Sequence, residues 1–87
     1  MKQQICILGS TGSIGTQALD VISQHSDLYE AYALTANHRW KELAEQARRF
    51  NPAAVVIADE AYYEPLKQEL ADMPDVKVYA GSKALED

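Results

Sequence analysis

The sequence predicts an α/β fold: a parallel sheet of about four strands, incomplete as a sheet, with three helices distributed over both of its faces. Three observations carry this. Four short apolar runs, at residues 4–8, 29–35, 54–58 and 76–79, are separated by segments with helical spacing. The runs are nearly continuous rather than alternating, which suits strands of a parallel sheet. Three of the chain's four glycines fall within seven positions, in the stretch ILGSTGSIG, where the first run meets the first helical segment.

Residues 4–8 hold Ile5, Cys6, Ile7 and Leu8 and make the first strand. From residue 13 to about residue 24 the spacing turns helical, with Ile14, Ala18, Val21 and Ile22 on one stripe. Residues 29–35, YEAYALT, form a second strand. The clearest helix covers residues 40–50: Trp40, Leu43, Ala44 and Ala47 share a face, Lys41, Glu42, Glu45, Arg48 and Arg49 cover the outside, and Asn51-Pro52 ends it. AVVIA at residues 54–58 is a third strand. Asp59 is placed to cap a third helix running to about residue 71, with Leu66 and Leu70 inward; Pro65 requires that helix to start late. VKVY at residues 76–79 is the fourth strand, and residues 82–87 read as the first turn of another helix. That cut-off turn predicts that residues 1–87 are a fragment of a longer protein.

Eighty-seven residues allow one domain at most, with a core that is marginal unless it pairs with more protein. A hydrophobic content of 47% and a charged content of 24% are ordinary for a globular domain. Eight basic against thirteen acidic residues, net −5, argue against nucleic-acid and membrane partners. The single cysteine, Cys6, excludes an internal disulfide and suits a cytoplasmic location. Mid-strand, it is expected to be a buried small hydrophobe rather than a nucleophile. Neither a signal-peptide pattern nor an apolar run of membrane-spanning length is present in the sequence.

In open parallel sheets ligands bind beyond the carboxyl ends of the strands. The first such end here is Leu8-Gly9. A loop leaving a strand and entering a helix offers backbone N–H groups to an anion, and the helix dipole adds positive charge. Gly9 is expected to make the tight turn, Gly12 to let a pyrophosphate approach the backbone, and Gly15 to let the helix pack close to the sheet. Ser10, Thr11 and Ser13 add hydroxyl donors, and Ser13 is a candidate N-cap. The spacing is G-x-x-G-x-x-G rather than G-x-G-x-x-G, and the strand before and helix after it give the triplet its meaning. A tight turn without a ligand is the alternative. No Gly-Lys-Ser/Thr follows, which argues against a P-loop.

At the end of the second strand, an NAD site places an acid that accepts from the ribose 2′-hydroxyl. Here Ala36, Asn37, His38 and Arg39 offer no acid, while Arg39 and His38 suit a 2′-phosphate. The expectation is a Rossmann-like domain preferring NADP(H). The alternative is a solvated turn capping the next helix. Elsewhere, Asp20 reads as a solvated helical residue. Asp59 and Glu60 read as a cap rather than a metal site. His25 lacks a second zinc ligand nearby. Trp40 reads either as helix packing or as an adenine-side contact. Tyr62 and Tyr63 read as packing or surface residues.

GSTGSIG at residues 9–15, then Leu19-Asp20-Val21, then Ala33-Leu34 leading into the turn at Ala36, resemble the N-terminus of the 1-deoxy-D-xylulose 5-phosphate reductoisomerase family. Weaker similarity continues through Glu45-Gln46 and Phe50-Asn51-Pro52. The resemblance covers nearly all of this chain but only the first part of the family's length. It implies that Thr11, Gly12, Ser13 and Ile14 contact NADPH, and that the turn at Ala36, Asn37, His38 and Arg39 holds the 2′-phosphate. The family often has Ala-Gly-Lys-Asn there, so Asn37 stands in for a glycine and the basic residue is shared between His38 and Arg39. The resemblance further implies a homodimer acting on a small-molecule substrate. A Mg²⁺ or Mn²⁺ site and the catalytic residues would lie in later domains, so this chain alone is expected to be inactive. The intact protein would convert 1-deoxy-D-xylulose 5-phosphate to 2-C-methyl-D-erythritol 4-phosphate in non-mevalonate isoprenoid biosynthesis. Two alternatives stand beside it: the cofactor domain of an aspartate-semialdehyde-dehydrogenase-like enzyme, and a nonenzymatic nucleotide-sensing domain.

Overall fold

Each apolar run becomes a strand and each helically spaced segment a helix in the computed structural model, which describes residues 2–81. In chain order these are β1 (Gln3–Ile7), α1 (Ser13–Gln24), β2 (Tyr29–Ala36), α2 (Trp40–Phe50), β3 (Ala54–Ile57), α3 (Tyr63–Glu69) and β4 (Lys77–Ala80). A 3-10 turn, Glu60–Tyr62, leads into α3. The helical turn expected over residues 82–87 lies outside the described residues. The strands pair in parallel in the order β1-β2-β3-β4. No helix among the described residues is long and apolar enough to cross a membrane.

That order corrects one expectation. The sequence reading distributes the helices over both faces, but all three lie on one. Right-handed crossovers that always step the same way pass over the same face, and helices change face only where strand order reverses. The core reflects this. Leu19 and Ile22 of α1, Leu43 and Ala47 of α2 and Leu66 of α3 join Ile7, Leu34, Val55 and Ile57 in one cluster. Leu34, Leu43 and Leu66 are fully buried, each contributing about 2 kcal/mol of transfer free energy. On the opposite face Tyr32 and Tyr79 remain exposed. Cys6 is exposed as well, not buried as expected, because strand alternation turns it away from Ile5 and Ile7.

A bulge keeps β2 aligned with that core. Ile5 pairs with Ala31 but Cys6 pairs with Ala33, which leaves Tyr32 as an extra residue. The extra residue inverts the alternation, so Ala31 before it and Leu34 and Ala36 after it face the same way.

The buried stripe of α1 also differs from the expected one. Gly15, Leu19 and Ile22 are buried, whereas Ile14 and Val21 are 83% and 51% exposed. The helix is rotated so that Gly15 faces the loop backbone, and residues 15, 18, 19 and 22 form the inward face. Helix α2 buries Leu43, Ala44 and Ala47 as expected, with Trp40 only partly buried. Its Glu42 lies in the first turn and Arg48 and Arg49 in the last, matching the helix dipole. Asn51 ends it in the left-handed region, with its N–H donating to the Ala47 carbonyl. Asp59 caps the 3-10 turn rather than α3, whose start comes later than expected: its Oδ1 accepts from the Ala61 N–H at 3.0 Å, and α3 has Tyr62 at its N-cap. Pro65 fits because α3 begins only at Tyr63, placing it in the first turn.

Candidate dinucleotide-binding site

Beyond the carboxyl ends of β1 and β2 lies a cleft of about 510 Å³ lined by Gly9, Thr11, Gly12, Ser13, Thr16, Asn37, His38 and Arg39. Two segments that are far apart in sequence, the glycine loop and the turn after β2, therefore share one opening.

The loop is shaped by its glycines and by Thr35. Gly9 has φ +69°, the left-handed region that favours glycine, and this turns the chain sharply out of β1. Its N–H donates to Thr35 Oγ1 at 2.8 Å, and the Thr35 hydroxyl donates onward to the Ile7 carbonyl at 3.4 Å. The Gly12 N–H donates to the Gly9 carbonyl at 3.0 Å, closing the turn. Gly12 is the N-cap of α1 and has no side-chain cap. Ser13, proposed from sequence as the cap, is instead the first helical residue, because the loop turn delivers Gly12 to the cap position. The amides of Ser13, Ile14 and Gly15 belong to the first turn, which has no preceding turn to accept from them. A Cβ on Gly15 would overlap the Gly9 carbonyl oxygen and sit 2.6 Å from Ser10 Cα. Glycine there allows the helix to pack directly on the loop.

Ser10 departs from its expected role as a ligand donor. It is fully buried, and its hydroxyl donates to Gln46 Oε1 at 2.7 Å, with the Thr35 carbonyl a longer second acceptor at 3.2 Å. Its own N–H donates to the Thr35 carbonyl at 2.8 Å. Seven of the ten residues singled out from sequence line the cleft: Gly9, Thr11, Gly12, Ser13, Asn37, His38 and Arg39. The other three do not. Ile14 is exposed, Gly15 lies under the loop, and Ala36 points into the core. Thr16 lines the cleft without having been singled out. Its place one helical turn after Gly12 was the available signal.

Across the cleft, Arg39 lies 3.6 Å from Glu42, with both side chains more than half exposed. Such a pair is weak, which leaves the guanidinium able to turn toward an anion. Trp40 does not line the cleft; it packs partly buried against the core, which favours the packing reading.

A parallel sheet whose first strand-to-helix turn is a glycine loop, facing a basic turn after the second strand, defines the Rossmann-like, nucleotide-binding class. Residues 5–87 match the family model of 1-deoxy-D-xylulose 5-phosphate reductoisomerase, and the chain belongs to that family. It is 68% identical over 85 residues to the 1-deoxy-D-xylulose 5-phosphate reductoisomerase of Phocaeicola vulgatus, covering 98% of this chain and 22% of that protein. The fold superposes with a TM-score of 0.92 on the Zymomonas mobilis reductoisomerase solved in complex with NADPH, at 44% identity over 98% of this chain and 22% of that one. A reductoisomerase solved with magnesium gives a TM-score of 0.89 at 34% identity, covering 98% of this chain and 21% of that one. The chain thus spans about a fifth of the length of the relatives it matches. Family membership sets aside the aspartate-semialdehyde-dehydrogenase-like alternative.

Proposed function

We propose that this chain is the N-terminal, NADPH-binding part of a reductoisomerase that converts 1-deoxy-D-xylulose 5-phosphate to 2-C-methyl-D-erythritol 4-phosphate. The observation that carries this reading is the single cleft shared by the glycine loop and the Asn37-His38-Arg39 turn, in a member of this family. The distribution of donors fits the cofactor. The amides at the start of α1 and the hydroxyls of Thr11 and Ser13 suit a pyrophosphate, while the Thr16 hydroxyl donates to the Ser13 carbonyl at 2.9 Å. Arg39, with His38 and Asn37 beside it, suits a 2′-phosphate, and no acid stands in that turn to repel it. Bound NADPH would supply the hydride for the reductive part of the reaction. The residues of this chain bind and orient it.

Substrate, metal and catalytic groups belong to the remainder of the longer protein in this reading. Among the described residues no group of three or more His, Cys, Asp or Glu side chains gathers. By family likeness the Mg²⁺ or Mn²⁺ would take its ligands from the remainder of the longer protein. Among the described residues, the sheet face bearing Tyr32 and Tyr79 is uncovered and the outer edge of β1 is unpaired, which supports a larger domain in which further strands and helices complete the sheet. By family likeness the intact protein is a cytoplasmic homodimer.

The test is a pair of calorimetric titrations of the chain with NADPH and NADH, repeated on Arg39→Ala. NADPH is expected to bind more tightly, and Arg39→Ala to weaken NADPH about tenfold while leaving NADH nearly unchanged. Equal weakening of both would end the 2′-phosphate assignment. A folded chain that binds neither would refute the cleft as a self-sufficient cofactor site.

A further inference from the structure

Gln46 sits on α2, away from the cleft lining, yet both polar ends of its side chain are spent on one loop residue. Its Oε1 accepts from the Ser10 hydroxyl at 2.7 Å, and its Nε2 donates to the Ser10 carbonyl at 2.8 Å. Only this amide orientation satisfies both contacts, since the flipped one would set two acceptors against each other. Ser10 is thereby fixed at every polar atom, because its N–H is held by the Thr35 carbonyl. The residues on either side of it, Gly9 and Thr11, line the cleft.

The same helix begins at Trp40, immediately after the basic turn. Gln46 therefore ties the glycine loop to the element that carries Arg39. We infer that Gln46 is a positioning residue that sets the spacing between the pyrophosphate loop and the 2′-phosphate turn, acting through Ser10 and without touching the cofactor. This rests on the NADPH reading of the cleft. The physical basis is preorganisation. A loop containing two glycines, Gly9 and Gly12, has a large conformational entropy, and ordering it at the moment of binding weakens affinity. Two hydrogen bonds at its midpoint order it beforehand. Sequence spacing alone does not reveal this, because the partners are 36 residues apart.

Two probes separate positioning from general support of the fold. NADPH spans both ends of the cleft, whereas adenosine 2′-monophosphate engages only the turn. Gln46→Leu keeps the size and helix preference of the side chain and removes both contacts. It is expected to weaken NADPH about tenfold and to leave adenosine 2′-monophosphate within about twofold. Ser10→Ala is expected to weaken NADPH less, and the double variant to fall short of the product of the two effects, because they share one contact. Unchanged NADPH binding by Gln46→Leu, alongside a wild-type chain that binds, would overturn the inference and leave the cofactor reading intact. Equal loss of both probes would overturn it too, reducing Gln46 to a structural residue. Amide hydrogen exchange gives a readout that needs no ligand. Gln46→Leu is expected to speed exchange at Ser10 and Gly12 while the amides of α2 stay protected. Unchanged exchange in the loop would overturn the inference even for a chain that bound no dinucleotide.

Discussion

Gly15→Ala sets two well-known effects against each other. Alanine stabilises a helix relative to glycine by up to about 1 kcal/mol, so helix preference alone predicts a gain. The packing predicts the reverse. The added Cβ would overlap the Gly9 carbonyl oxygen and lie 2.6 Å and 2.9 Å from Ser10 Cα and carbonyl carbon. Carbon atoms in contact sit about 3.5–4 Å apart, so α1 and the loop must separate by about 1 Å. These are backbone atoms and no rotamer change relieves the overlap. Ser10 is also held in place by Thr35 and Gln46. Overpacking costs about 1–3 kcal/mol, and a pinned backbone places this case at the upper end. The net loss is about 2 kcal/mol, roughly a thirtyfold shift in the folding equilibrium. Urea denaturation followed by circular dichroism reads it directly. Gly12→Ala is the control, because its Cβ would be 3.4 Å from the Gly9 oxygen at an ordinary φ of −82°. It is expected to change stability by less than about 0.5 kcal/mol while weakening NADPH. A Gly15→Ala chain as stable as wild type would show that α1 does not pack on the loop as described.

Two further outcomes follow from the same structure. Gly9 has open space around its missing Cβ but a φ of +69°, so Gly9→Ala is expected to lose about 1 kcal/mol and Gly9→Asn less, as thermal melts would show; equal stability for all three would contradict the left-handed turn. The Asp72 carboxyl accepts two hydrogen bonds of 2.9 Å from Arg48, and the guanidinium holds it below the usual carboxylate range. A carboxyl lowered in the folded state stabilises above its unfolded pKa, and that contribution disappears as pH falls through the folded value. An NMR titration should place the Asp72 midpoint below that of a free aspartate and return it upward in Arg48→Ala; an unmoved midpoint would refute the pairing in solution.

The elements were legible because their signals are local. The spacing of Trp40, Leu43, Ala44 and Ala47 and the Asn51-Pro52 stop define α2 without reference to any other segment. The turn at Gly9 is legible for the same reason, since a strand-to-helix junction allows few shapes, whereas Gly15, expected to pack on the sheet, packs on the loop backbone instead. What escaped was set between elements. Helix faces depend on strand order, and no run of residues states which strand lies beside which. The exposure of Cys6 follows from that order. The rotation of α1 that exposes Ile14 follows from the contact of Gly15 with Ser10, and a stripe drawn from apolar residues alone passes over a glycine. Ser10 looked like a ligand donor because a hydroxyl in a glycine loop usually faces outward. Its burial required knowing that Gln46 would stand above it.

The cleft is more complete than the sheet beneath it. Every residue that lines it comes from the ends of two adjacent strands and the segments that follow them, and Thr35 and Gln46 close the supporting contacts within the same residues. The hydrophobic enclosure is less complete. Among the described residues one face of the sheet is covered by three helices, while the other leaves Tyr32 and Tyr79 42% and 45% exposed, and β1 has no neighbour on its outer edge. The phosphate recognition proposed for the cleft would therefore depend on short-range geometry within these residues. Stability depends on apolar area that they leave open. The two properties separate physically: a substitution at Gln46 or Arg39 is expected to act on the first, and anything that covers the open face on the second.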